Sequence, residues 1–303
     1  MDLRGSTYPF GRAEQFPKIR FYAFALHAMS LADAPLGHDV PYPDQYDASL
    51  LFPIERAANR AALGVSAPLP FVGDDVWNAY ELSWLDARGK PQVAIGRFTV
   101  PADTPRIVES KSFKLYLNSL NQTRLPDAAA YAERVERDVS AAAGGPVRLT
   151  LIPPDGFRQA RISELEGELL DGQDIEIRHY TPAPELLRCE TGAPIVEETL
   201  RSDLLKSNCP VTNQPDWGSV QIRYRGPKLD RAALLAYIVS FRQHAEFHEH
   251  CVERIFMDVM AACQPQALSV YARYTRRGGL DINPWRATPG MPAPDLTMRT
   301  ARQ

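Results

Sequence analysis

Read from either half, this sequence spells one order of elements: two alternating strands, two helices, and another alternating strand. In the first half, residues 77–84 and 92–100 alternate apolar and polar side chains around Asp86-Ala87-Arg88-Gly89-Lys90, the pattern of an antiparallel hairpin. Helices are expected over 112–120 and from Pro126-Asp127 to a stop at Gly144-Gly145, and Val147, Leu149 and Leu151 then alternate as a strand. The second half offers strands over 197–205 and 219–224, helices over 230–242 and 245–262, and an alternating Leu268, Val270, Ala272. With an offset of 121 residues, Tyr116, Ser119 and Gln122 fall on Tyr237, Ser240 and Gln243. The identities are few, so the shared element order carries the inference of two homologous α+β modules, antiparallel strands with paired helices on one face. Residues 41–63 read as an irregular arm wrapped on a domain, and Pro153-Pro154-Asp155-Gly156 marks the linker.

The run Ser207-Asn208-Cys209-Pro210-Val211-Thr212-Asn213-Gln214-Pro215-Asp216-Trp217 sets one thiol and one carboxylate in an uncharged, proline-bounded stretch. Its prolines and asparagines exclude a helix or central strand and predict a turn that presents side chains at a surface or cleft. A free cysteine is more often a small buried apolar residue, and Asp216 by itself reads as a turn residue. The chemical reading is a nucleophilic thiol with a nearby carboxylate able to move a proton.

With 303 residues, 45% of them hydrophobic, the chain can bury a core as one large domain or two ordinary ones. A net charge of −3 from 34 basic and 37 acidic residues offers no broad attraction to nucleic acid or an anionic membrane, so a small-molecule partner fits better. Cys189, Cys209, Cys251 and Cys263 lack CxxC spacing and suit a reducing cytosol. The apolar run 21–26, broken by His27, is far too short to span a membrane, although Lys18 and Arg20 before it and Ala32-Asp33-Ala34 after it carry a faint signal-peptide outline. No Gly-x-Gly-x-x-Gly turn joins a strand to a helix, so the Rossmann way of holding a dinucleotide is excluded.

Three separated blocks, Ser207 to Trp217, Glu109-Ser110-Lys111-Ser112-Phe113-Lys114-Leu115-Tyr116 and Phe247-His248-Glu249-His250-Cys251, resemble the NADPH-dependent 7-cyano-7-deazaguanine reductases of queuosine biosynthesis. Gln45-Tyr46-Asp47-Ala48-Ser49-Leu50-Leu51, Arg276-Arg277-Gly278-Gly279 and Leu280-Asp281-Ile282-Asn283-Pro284-Trp285 extend the likeness, which runs from about Leu36 to about Arg286 in the long, two-module form. The resemblance implies two tandem tunnelling-fold modules over 36–160 and 161–290, flanked by an extension at 1–35 and a tail at 291–303. Barrel closure by oligomerisation, as a homodimer in the cytoplasm, goes with it. It further implies Cys209 as nucleophile, Asp216 as proton donor and His248 beside them. Val108, Glu109, Ser110, His248 and Glu249 would hold the deazapurine, and Ser110, Lys111, Arg277 and Gly278 the NADPH. Two carboxylates suit a base edge rich in N–H donors, though Glu109 also reads as a carboxylate at a helix N-terminus. The implied reaction takes a nitrile to an aminomethyl group through a cysteine thioimide, with no metal and no direct contact with nucleic acid.

His244, His248, His250 and Cys251 leave a competitor open, a zinc-dependent pterin or purine hydrolase of the same fold with histidines four apart on one helical face. A non-catalytic purine-binding module retaining Glu109 and Glu249 is the third reading. Cys251 and Cys263 read as core residues.

Overall fold

The computed structural model describes residues 42–303; the extension expected at 1–35, with its apolar run, lies outside them. A short 3-10 turn at Ala48–Leu50 is followed by β1 (Pro53–Glu55), α1 (Ala57–Ala62), β2 (Val72–Leu85), β3 (Pro91–Pro101), β4 (Arg106–Val108), α2 (Ser110–Ser119), α3 (Ala128–Ala143) and β5 (Arg148–Ile152). After the linker come β6 (Glu168–Leu169), β7 (Ile195–Ser202), β8 (Lys206–Asn208), β9 (Pro215–Pro227), α4 (Arg231–Ser240), α5 (His248–Cys263), β10 (Ala267–Tyr274) and β11 (Leu280–Ala287). The architecture is mixed α+β on an antiparallel sheet. Its order is β5-β3-β2-β11-β10-β9-β7-β6, with β8 paired to the start of β9 and only β6 parallel to its neighbour.

Local chemistry explains the elements. Asp127 caps α3 by accepting a hydrogen bond from the Ala130 N–H, and Gly144 ends it in the left-handed conformation at φ 77°. Asp230 caps α4 in the same way through Ala233. Strand alternation buries Val220, Ile222 and Tyr224 of β9, and Leu268, Val270 and Ala272 of β10, in one core with α4 and α5. A second core gathers Trp77, Phe98, Phe113, Tyr116, Tyr131 and Leu149.

The two halves repeat in detail. The Tyr116 hydroxyl donates to Asp138 Oδ2 at 2.8 Å and the Tyr237 hydroxyl to Asp258 Oδ2 at 2.7 Å. Ser119 Oγ and Ser240 Oγ each donate to the carbonyl of that tyrosine at 2.6 Å. The halves are also interlocked: Leu280 and Ile282 of β11 pack in the core of Trp77 and Phe98, whereas Val65, Phe71 and Ala102 pack in the core of Val220 and Ile222.

Three expectations need correction. Residues 41–63 are not wholly irregular, since β1 pairs with β4 and Arg56 opens α1; six residues are too few for a clear helical period. The stretch 207–217 does contain strand. β8 ends at Asn208 and β9 begins at Pro215, where a missing N–H is tolerated, so only 209–214 form the loop and Asp216 lies on a strand. Helix α5 begins at His248 and not at 245, because residues 244–246 pair with β8: Asn208 N–H donates to the His244 carbonyl at 2.7 Å and Glu246 N–H to the Asn208 carbonyl at 3.0 Å. In addition β11, interrupted in character by Pro284, was not anticipated as a strand, yet it joins the two halves through its ladder with β2.

The repeated tyrosine–aspartate bonds differ in backup. Asp138 also accepts from Tyr46 and Arg137, while Asp258 has Tyr237 as its hydrogen-bond donor and Arg254 as a nearby charge. Urea denaturation should therefore show Tyr237→Phe costing about 1–3 kcal/mol and Tyr116→Phe less, about 0.5–1.5 kcal/mol; equal or reversed losses would contradict this.

Candidate active site

The site forms at the seam between the halves. A cavity of about 380 Å³ is lined by Val108 at the end of β4, Ser110 at the start of α2, Cys209 and Asp216 from the loop and β9, Phe247, His248 and Glu249 from the start of α5, and Arg277. The pairing of 244–246 with β8 fixes the Cys209 loop beside α5, and the loop is closed by Cys209 N–H donating to the Gln214 carbonyl and Asn213 N–H to the Cys209 carbonyl, both at 2.9 Å. Asn213 takes φ 54°, a conformation asparagine tolerates better than most residues.

Alternation along β9 turns Asp216 to the same face as Val220 and Ile222, toward the helices, and leaves it 4% exposed. Arg277 Nη1 donates to Asp216 Oδ1 at 2.5 Å, and His248 Nε2 lies 3.4 Å from Asp216 Oδ2. Arg277 also donates to the Gln214 side chain. The His248 ring is stacked on Tyr274 at 3.9 Å and 13°. Burial alone would raise the Asp216 carboxyl, but His248 and Arg277 more than offset it and hold the group below the usual carboxylate range. Asp216 is thus a carboxylate at neutral pH and can take a proton before it can deliver one. Lys114 is lowered by burial and then by Arg277, while Glu109, Asp216 and Cys209 pull it the other way, which sets this ammonium within electrostatic reach of the thiol.

The two carboxylates expected at the base differ. Glu249 is 2% exposed with Oε1 lacking any hydrogen-bond partner; burial, then the charge of Asp75, raise its carboxyl. Such an acceptor suits an incoming N–H donor. Glu109 instead caps α2, accepting from the N–H groups of Lys111 at 2.7 Å and Ser112 at 2.8 Å, and does not line the cavity. Lys111 and Gly278 also lie outside that lining. Gly278, at φ 60°, borders a neighbouring groove of about 700 Å³ with Lys114, Asn118 and Glu81. Arg277 and Gly278 therefore stand between cavity and groove, a cationic, glycine-bearing approach that fits a phosphate-rich cofactor.

Among the described residues no three His, Cys, Asp or Glu side chains gather as a metal ion would need. His244 lies outside α5, so it shares no helical face with His248, and it packs edge-on to Phe241 at 5.5 Å. His250 Nδ1 faces Glu246 Oε1 and Asn59. Sequence reasoning did not single out Lys114, Trp77, Ile107 or Ile282. The apolar three look like any strand residue until strands and helices are assembled, and Ile282 and Lys114 stood in the resembling blocks without a role of their own.

Cys251 and Cys263 belong to the core of β9, β10, α4 and α5, and burial raises both thiols, Cys263 to about 12. Cys209 borders a cavity instead. Alkylation of the native protein at pH 8, mapped by peptide mass, should label Cys209 well before Cys251 and Cys263; earlier labelling of Cys251 would contradict the assigned access.

Residues 42–151 match the family described as nitrile reductase, 7-cyano-7-deazaguanine-reductase N-term, and residues 215–291 match the QueF-like protein family. The NADPH-dependent 7-cyano-7-deazaguanine reductase of Bordetella avium is 66% identical over 91% of this chain and 100% of its own length. Proteins of that description from Chromobacterium violaceum and Burkholderia pseudomallei are each 58% identical, over 92% and 91% of this chain and 99% and 100% of their own. Among the described residues no helix is long and apolar enough to cross a membrane. The chain belongs to the NADPH-dependent 7-cyano-7-deazaguanine reductase family.

Proposed function

We propose that this chain uses NADPH to reduce the nitrile of 7-cyano-7-deazaguanine to the aminomethyl group of 7-aminomethyl-7-deazaguanine, through a covalent thioimide on Cys209, as a step of queuosine tRNA modification. The observation that carries this reading is the convergence of Cys209, Asp216, His248 and Glu249 on one cavity. Glu249, with an unpartnered oxygen, accepts from the ring N–H and amino donors of the base. Glu109 keeps lone pairs beyond its two capping bonds, and Val108 and Ser110 form the wall beside it. Asp216 removes the thiol proton, sulfur bonds to the nitrile carbon, and the same proton goes to the nitrile nitrogen with His248 assisting. Bound NADPH supplies hydride for each of the two reductions, held by Ser110, Lys111, Arg277 and Gly278, with Lys114 beside them. After the first, the carbon–sulfur bond breaks, Cys209 leaves as thiolate, and the imine that remains is reduced to the amine.

The same reading takes the two halves as tunnelling-fold modules over 36–160 and 161–290, followed by the tail 291–303. The sheet ends at β5 on one side and at the two-residue β6 on the other. Such edges suit closure into a barrel by a second copy of the chain, a homodimer. Free thiols and a tRNA-modification product suit the cytoplasm.

Turnover with the base should oxidise two NADPH per nitrile, followed at the nicotinamide absorbance. Intact mass should show a base adduct on the wild type without NADPH and none on Cys209→Ala. One NADPH per base, or an adduct that persists in Cys209→Ala, would contradict the proposal.

A further inference from the structure

Behind Glu249 lies a second, small cavity lined by Arg56, Asp75, Trp77, Val108, Phe113 and Glu249 among others. Trp77, Val108 and Glu249 border both cavities, so Glu249 stands in the wall between them. The far side of this wall holds a buried ionic network. Arg56 Nη2 donates to Asp75 Oδ2 at 2.5 Å, Arg286 Nη2 lies 2.8 Å from Asp75 Oδ1, and Arg286 and Arg60 meet Glu253 Oε1 at 2.9 and 2.7 Å. Three guanidiniums thus face two carboxylates, Asp75 and Glu253, and the surplus is one positive charge. Arg56 is 0% exposed, and its Nε and Nη1 have no hydrogen-bond partner. A buried cation with unused donors and a buried carboxylate with an unused acceptor border one cavity, and together they bring the cluster to neutrality.

We propose that Arg56, through this network, is the positioning residue that keeps Glu249 a carboxylate and therefore an acceptor for the base; this rests on the base-binding reading of Glu249 given above. An isolated buried carboxyl would favour its neutral form and would then offer a donor where the ligand brings donors. The other charges around Glu249 are known. His248 and Glu253 share α5, and His248 and Arg56 favour its ionised form while Asp75 on β2 opposes it. Arg286 comes from β11, and Asp216 and Arg277 lie across the ligand cavity, already paired with one another. Asp74 neighbours Asp75 on β2 but turns to the opposite face by strand alternation.

The test uses base affinity against pH in a Cys209→Ala background, read by tryptophan fluorescence or calorimetry between pH 5 and 9. Affinity falls on the acidic side as Glu249 takes up a proton. Removing a cation by Arg56→Met should move that acidic limb to higher pH, and removing an anion by Asp75→Asn should move it to lower pH, each by about one unit at the separations of a buried cluster. Arg56→Lys should restore most of the first shift. A purely structural role would weaken binding in both variants without opposite shifts, and that result, or no shift in either, overturns the proposal. If Arg56→Met does not fold, the downward shift of Asp75→Asn decides alone. Glu249→Gln separates the two readings: undiminished base affinity in that variant would sink the base-binding reading itself, whereas lost affinity with unshifted limbs sinks only the role of Arg56.

Discussion

The ladder between β11 and β2 is the constraint on which the rest of this structure depends. Eight register pairs, from Leu280 opposite Ala79 to Ala287 opposite Val72, join the sheet of one half to that of the other. Each half has its own core and its own helix pair, and without this ladder the starts of α2 and α5 would belong to separate bodies. With it, Val108 and Ser110 meet His248 and Glu249 across one cavity. The exchange of Leu280 and Ile282 for Phe71 between cores reinforces the join, because apolar burial on both sides resists separation.

Electrostatics at the seam follow from that join. Asp216 comes from β9, His248 from α5 and Arg277 from the turn before β11, so the depressed carboxyl exists only when three elements are assembled. Burial has opposite outcomes at two nearby acids. Asp216 has His248 and Arg277 in contact and is held below the usual carboxylate range, whereas Glu249 has an open oxygen and is pushed up. One is prepared to exchange a proton, the other to receive a ligand.

Much of the fold was legible because local chemistry and tertiary packing agree. Hairpin alternation, the Asp127 cap and the Gly144 stop gave β3 and α3 nearly to their ends, and β2 from Trp77 onward but not its first five residues. What failed locally was decided by distant pairing: residues 244–246 look helical in sequence but are drawn out by Asn208, and Pro215 looks like a strand breaker but sits at a strand's first position. Of the expected site residues, those carried by the start of α5, by the cysteine loop and by Arg277 converge on the cavity, as do Val108 and Ser110. Glu109, Lys111 and Gly278 lie just outside it. No local pattern marks Arg56, because its role requires Asp75, Arg286 and Glu253, residues spread over the whole chain.

The central claim is that an ionised Asp216, held by His248 and Arg277, activates Cys209 at the seam. Its most direct measurement is the rate of adduct formation between protein and 7-cyano-7-deazaguanine without NADPH, followed by intact mass in the wild type and in Asp216→Asn. The account predicts unchanged base affinity and a rate lowered by roughly 10²–10⁴-fold in the variant, the usual worth of a positioned acid–base group. An adduct that forms equally fast in Asp216→Asn would contradict it.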